Sequence, residues 1–145
     1  MSRTHLVALA IVLALSGGEV LADDLTGASR FLCAAVQATK CTDGGDCTLD
    51  VPWNLNVPEF IEVDLDAKRL GTTAASGENR TTAIEHLTRR DGRIVVQGFE
   101  NGRAFSWVIT ESTGRLAVAV ATEGRVVAVF GACTPLPAVA APGGK

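Results

Sequence analysis

The stretch Asp91–Cys133, DGRIVVQGFENGRAFSWVITESTGRLAVAVATEGRVVAVFGAC, decides the fold. It contains four glycine-arginine steps, Gly92-Arg93, Gly102-Arg103, Gly114-Arg115 and Gly124-Arg125, with the glycines 10, 12 and 10 residues apart. Between them lie apolar, β-prone runs: Ile94–Phe99, Ala104–Thr110, Leu116–Ala121 and Val126–Cys133. Each glycine follows a turn-prone residue (Asp91, Asn101, Thr113, Glu123) and can supply the positive φ of a tight hairpin. The stretch predicts a four-strand antiparallel meander.

Outward from it the β pattern continues. Phe60–Asp66 alternates, with Ile61, Val63 and Leu65 on one face and Glu62, Asp64 and Asp66 on the other. Asp66-Ala67-Lys68-Arg69 reads as a turn and Gly71–Gly77 as a small polar loop. Arg80–Arg90 reads as a strand, but Ile84 and Leu87 differ in parity, which predicts a bulge near His86. Phe31–Cys41 allows two readings. Phe31, Leu32, Ala35, Val36 and Thr39 would form a helical stripe capped by Ser29, yet the segment runs directly into the turn Thr42-Asp43-Gly44-Gly45-Asp46 and a β-prone Cys47–Val51, which favours a strand. Pro52–Pro58, carrying Trp53, is an irregular crossing. The predicted class is all-β, an antiparallel up-and-down meander of eight or nine strands forming a closed or nearly closed small barrel.

The chain ends are of another kind. Leu6–Leu15 is an unbroken apolar run after Arg3, and Val20-Leu21-Ala22 suits a signal peptidase, so residues 1–22 read as a signal peptide cleaved after Ala22. That run is too short to span a bilayer, which takes about 20 apolar residues, so no membrane span is expected. Residues 23–133 then make one barrel-like domain, and Thr134–Lys145, rich in Pro, Ala and Gly, reads as a flexible tail. The expected location is periplasmic or secreted. The formal net charge of −3 is unchanged by removing a segment that carries one Arg and one Glu, and such mild acidity with no lysine-rich run argues against a nucleic-acid partner.

All four cysteines lie beyond the cleavage site, and an even count in an oxidising compartment favours two disulfides. Cys33–Cys41 is excluded locally, since eight residues span about 26 Å as strand or about 12 Å as helix against a Cα limit near 7 Å. If Thr42–Asp46 is the hairpin turn, Cys41 lies opposite Cys47, which leaves Cys33 for Cys133. The expected bonds are Cys41–Cys47 and Cys33–Cys133.

Several short motifs carry a resemblance: Leu32-Cys33, then Cys41 with Gly45-Asp46-Cys47, and Asn56-Val57-Pro58-Glu59-Phe60. Gly98-Phe99-Glu100-Asn101-Gly102-Arg103-Ala104-Phe105-Ser106 and the closing Phe130-Gly131-Ala132-Cys133-Thr134-Pro135 complete the set. The chain resembles a group of small exported bacterial proteins of unknown function, with Phe105 standing where tryptophan is expected. The resemblance implies export and a compact fold, and it carries over no catalytic residue.

Candidate chemistry is sparse. The four arginines could fork onto an anion, but successive turns of a meander alternate between its ends. Arg93 and Arg115 share one end and Arg103 and Arg125 the other, so they read as solvated strand starts. Glu62, Asp64 and Asp66 on one strand are too far apart to wrap a calcium ion. His86, beside Glu85, Arg89 and Arg90, reads as a surface residue, and no Gly-x-Ser-x-Gly elbow accompanies it. Cys41-x5-Cys47 has the wrong spacing for zinc. Asn79-Arg80-Thr81 matches a glycosylation sequon and reads as a polar loop. No catalytic, cofactor or metal residue is expected, and no cofactor.

Three function classes follow, in order. The first is a non-enzymatic interaction protein of the cell envelope, meeting an unknown protein partner or a second copy, because the last strands are apolar on both faces. Ala117, Ala119 and Ala121 back Leu116, Val118 and Val120, while Val127 and Val129 back Val126 and Phe130. The alternative is a small apolar-ligand carrier with a cavity lined by Phe105 and Trp107; an enzyme is a distant third. Inner-face positions Ile94, Val96, Phe105, Trp107, Ile109, Leu116, Val118 and Val120 predict a packed interior, which disfavours the carrier.

Overall fold

The computed structural model describes residues 23–137. The expected signal peptide lies outside them, as does most of the expected tail. The strands are β1 (Arg30–Thr42), β2 (Cys47–Asp50), β3 (Phe60–Asp64), β4 (Arg69–Thr72), β5 (Thr81–Ala83), β6 (His86–Arg90), β7 (Arg93–Glu100), β8 (Arg103–Thr110), β9 (Arg115–Thr122) and β10 (Arg125–Pro135). All pair antiparallel in one sheet of order β5-β4-β3-β1-β10-β9-β8-β7-β6, with β2 also on β1. The sheet curls through 284° into an incomplete barrel.

Ten strands make eight passes across the sheet, because two passes are broken. β2 and β3 both pair with the same side of β1, at Ala38–Cys41 and at Arg30–Ala34. Between them the chain leaves the sheet in a 3₁₀ turn over Pro52–Leu55, closed by Asn56 at φ 57°. β5 and β6 are the second broken pass. β5 pairs with β4 and β6 with β7, and Ile84–Glu85 carries the chain from one sheet edge to the other. The Ile84 N–H donates to the Lys68 carbonyl while the Glu85 N–H donates to that of Gln97. The parity conflict in Arg80–Arg90 therefore marks the seam of the barrel, and its break falls at Ile84–Glu85, just before His86.

The meander follows the glycine-arginine spacing. Asp91-Gly92 and Asn101-Gly102 have positive φ at both positions (53°, 69° and 49°, 77°), the two-residue turn whose twist matches that of its strands. Phe31–Cys41 is strand throughout, with a bulge between Ala35 and Gln37 that leaves Val36 exposed. β10 continues through Thr134 and Pro135, and the Leu136 N–H donates to the Arg30 carbonyl, so the sheet extends past the expected tail boundary.

The core is densest at one end, where Phe31, Val63, Ile94, Ile109 and Leu25 are fully buried. Leu25, upstream of β1, plugs this floor. Its N–H donates to the Glu111 carbonyl, and Arg89 reaches inward to pair with Glu111 at 2.9 Å and to donate to the Leu25 and Ala28 carbonyls.

Candidate functional site

The barrel is less full towards its other end. The inner face there presents Cys33, Ala35, Thr82, Val118, Val120 and Val129, all short side chains, and they leave a cavity of about 80 Å³. One water molecule needs roughly 10–15 Å³ of such space, so several waters or one compact apolar group would fit. The buried Trp107 and Leu116 and the half-buried Phe105 and Val57 also line it. The inner-face assignments hold: Ile94, Val96, Trp107, Ile109, Leu116 and Val118 are buried and Phe105 and Val120 half-buried. The interior is packed at the floor, and the packed expectation fails towards the mouth. The reason is side-chain volume: Phe31, Ile94 and Ile109 fill the floor, while β1, β5, β9 and β10 present small side chains around the cavity.

Polar groups converge on one side of the opening. Glu100, the last residue of β7, accepts from the Thr82 hydroxyl at 2.7 Å through Oε1 and from Arg80 Nη2 at 2.8 Å through Oε2. Arg80 also donates to the backbone and side-chain oxygens of Asn56, which the 3₁₀ excursion brings to the rim. Burial pushes the Glu100 carboxyl up. The Thr82 and Arg80 hydrogen bonds, with the charges of Arg80 and Arg103, outweigh it and hold the group below its ordinary value. Arg103 opens β8, and its side chain is 17% exposed. It contacts Glu100 only at 3.4 Å.

Of the four meander arginines, Arg93, Arg115 and Arg125 are exposed as read from sequence. Arg103 is not a solvated strand start, because the curl of the sheet turns it onto the cavity. Arg80 and Glu100 were invisible as a site, since 20 residues separate them in the chain and only the seam brings them together. The remaining candidates lie elsewhere. His86 is exposed at the start of β6. Glu62 and Asp64 face outward beside Arg30 at 3.8 and 3.6 Å, and Asp66 lies in the following turn. Among the described residues no cluster of His, Cys, Asp and Glu could hold a metal ion.

The cysteines pair as Cys33–Cys133 and Cys41–Cys47, with Cα separations of 4.0 and 4.1 Å. In both bonds the two residues are direct ladder partners. Cys33–Cys133 is buried and ties the first strand to the last; it also forms part of the cavity wall. Two disulfides and no free cysteine are the pattern of an oxidising, extracytoplasmic compartment. No helix among the described residues is long and apolar enough to cross a membrane.

No protein-family model matches the chain, and comparisons with curated proteins and with solved structures find no match either.

Proposed function

We propose that this chain is an exported, non-enzymatic barrel protein that takes a small apolar ligand into its open end. The cavity is the observation that carries this reading and moves the carrier ahead of the interaction protein. An apolar recess with a few polar groups at one edge is the usual form of a small-molecule site, and here the edge is Arg80, Glu100, Arg103 and Thr82. The size of the recess restricts the bound part to one short alkyl chain or ring. Export rests on the apolar run before Ala22 and on the two disulfides. Titration with an uncharged probe, 1-hexanol, followed by nuclear magnetic resonance, should shift the Trp107 indole and the Val118 and Val129 methyl signals. Unchanged signals at all three would sink the ligand reading.

A second reading keeps the protein contact, with a second copy of this chain as the partner. On the outer face of β9 and β10, Ala117, Ala119 and Ala121 lie beside Val126 and Phe130, which are 47% and 49% exposed. Among the described residues, Leu25 of the segment before β1 is buried at the floor, and Asp23 accepts from the Thr134 hydroxyl of β10. The face carries no charged side chain between Arg115 and its far edge, so it offers nothing to select a charged partner and is self-complementary in character. Sedimentation velocity at rising concentration should show a dimer that Phe130→Glu abolishes. A single monomeric species throughout would remove this reading.

A further inference from the structure

We infer that the ligand of the open end is a compact apolar carboxylate whose carboxyl group docks on Arg103. This rests on the cavity being a ligand site and adds the chemistry of the ligand's polar end. The charged residues lining the cavity are Arg80, Arg103 and Glu100, two cations and one anion. Glu100 is committed to the seam, with Oε1 held by Thr82 at 2.7 Å and Oε2 by Arg80 at 2.8 Å. Arg80 is committed as well, to Glu100, to Asn56 and to Glu78 at 3.6 Å. Arg103 is left as the least satisfied charge. It carries five N–H donors, and among the described residues its hydrogen-bond partner is Glu100, at 3.4 Å. A largely buried guanidinium with spare donors beside an apolar recess suits an anion that can fork across two N–H groups. One spare cation calls for a monoanion, and the short apolar cavity behind it calls for a small hydrocarbon body. A carboxylic acid of a few carbons or one ring meets both demands. Neutral apolar molecules would enter the same recess with nothing to offer Arg103.

The experiment compares hexanoate with 1-hexanol, equal in carbon number and different in head group. Trp53 is 57% exposed on the 3₁₀ turn and is remote in character from the cavity-lining Trp107, so Trp53→Phe leaves Trp107 as the one fluorescent reporter. In this background hexanoate should bind about tenfold more tightly than hexanol or better, the value of one charge-assisted hydrogen bond. Added salt should weaken hexanoate and spare hexanol. Arg103→Met should remove the preference for hexanoate over hexanol. Equal affinity for the two probes with no salt effect would overturn the carboxylate assignment while the apolar pocket stands. Binding of neither would overturn both. The head-group and salt comparisons use unmutated Arg103, so they decide the matter even if Arg103→Met fails to fold.

Discussion

The guanidinium of Arg80 and the carboxylate of Glu100 meet at 2.8 Å across a gap in the barrel wall that no ladder closes among the described residues. β5 and β7 lie side by side there without strand pairing, and Thr82 adds a second bond from β5 to the same carboxylate. A backbone seam is thus held at the mouth by side chains, and those side chains also edge the cavity. Whatever loosens the clasp should loosen the site.

Glu100→Gln tests this directly. It keeps the shape and removes the charge, and it should cost about 1.5–3 kcal/mol, the range for hydrogen bonds to charged groups. Hydrogen exchange should rise first at Thr81–Ala83. The pH dependence has a definite sign, because the folded carboxyl sits below its ordinary value of 4.5. Its contribution is complete above that value and is lost as pH falls through the depressed folded value. Urea midpoints measured downward from pH 6 should fall more for the parent protein than for Glu100→Gln. Parallel curves would show that Glu100 contributes nothing to the acid limb.

A second tight place lies on the far side of the barrel. Gly131 faces Ala35 at the β1–β10 ladder, next to the Val36 bulge, and a methyl group on it would overlap the carbonyl oxygen of Ala34. A backbone oxygen cannot rotate aside, so Gly131→Ala must push the two strands apart. We expect a loss of about 1–3 kcal/mol, the usual cost of overpacking. Gly44→Ala is the control, since its methyl would meet nothing closer than 3.8 Å, and it should change stability little.

The two disulfides should differ in access. Cys41–Cys47 joins a short hairpin with Cys47 exposed, whereas Cys33 and Cys133 are 1% and 2% exposed. Dilute dithiothreitol under native conditions should therefore open Cys41–Cys47 and leave Cys33–Cys133 until the barrel unfolds. Their contributions should differ too. On the chain-entropy view a loop of 6 residues contributes about 2 kcal/mol and one of 100 residues about 5 kcal/mol. Alkylation and peptide mapping during a timed reduction would read the order, and simultaneous opening would contradict it.

The meander was legible because its information is local. Each run alternates, and each turn announces itself by Asp91-Gly92 or Asn101-Gly102. The disulfide pairing was legible for a related reason, since the hairpin at Thr42–Asp46 places Cys41 against Cys47. Even the seam left a trace in the mismatched parity of Ile84 and Leu87. The mouth was not legible. Arg80, Glu100 and Arg103 come from separate turns, and sequence shows each as one more polar residue beside a loop. Their convergence depends on how far the sheet curls, a property of the whole sheet rather than of any strand. The floor pair Arg89–Glu111 escaped for the same reason: Arg89 reads as one of a row of surface charges, yet it faces the buried side opposite Ile94. The space near the opening escaped as well, because Cys33, Ala35 and Thr82 of β1 and β5 line it and lie outside the meander.

Trp107 sits where the packed floor gives way to the cavity, and truncating it should separate the two. It is 5% exposed, it pairs with Val96 and Val118 on the inner face, and it lines the recess. Trp107→Ala removes a large apolar surface from the core and leaves a void that the curved sheet cannot collapse around. The expected cost is about 3–5 kcal/mol in urea unfolding, as for other buried aromatics. Val120→Ala is the contrast. Val120 is half-buried near the opening, beside space already empty, so its loss should cost nearer 1 kcal/mol, the transfer value of the methylene-sized groups removed. A ligand that fills the recess should restore part of the lost stability in Val120→Ala by binding the folded state. If Trp107→Ala were instead as stable as the parent, the inner ring would be resting against the cavity without supporting the core, and the division of this barrel into packed floor and open mouth would be wrong.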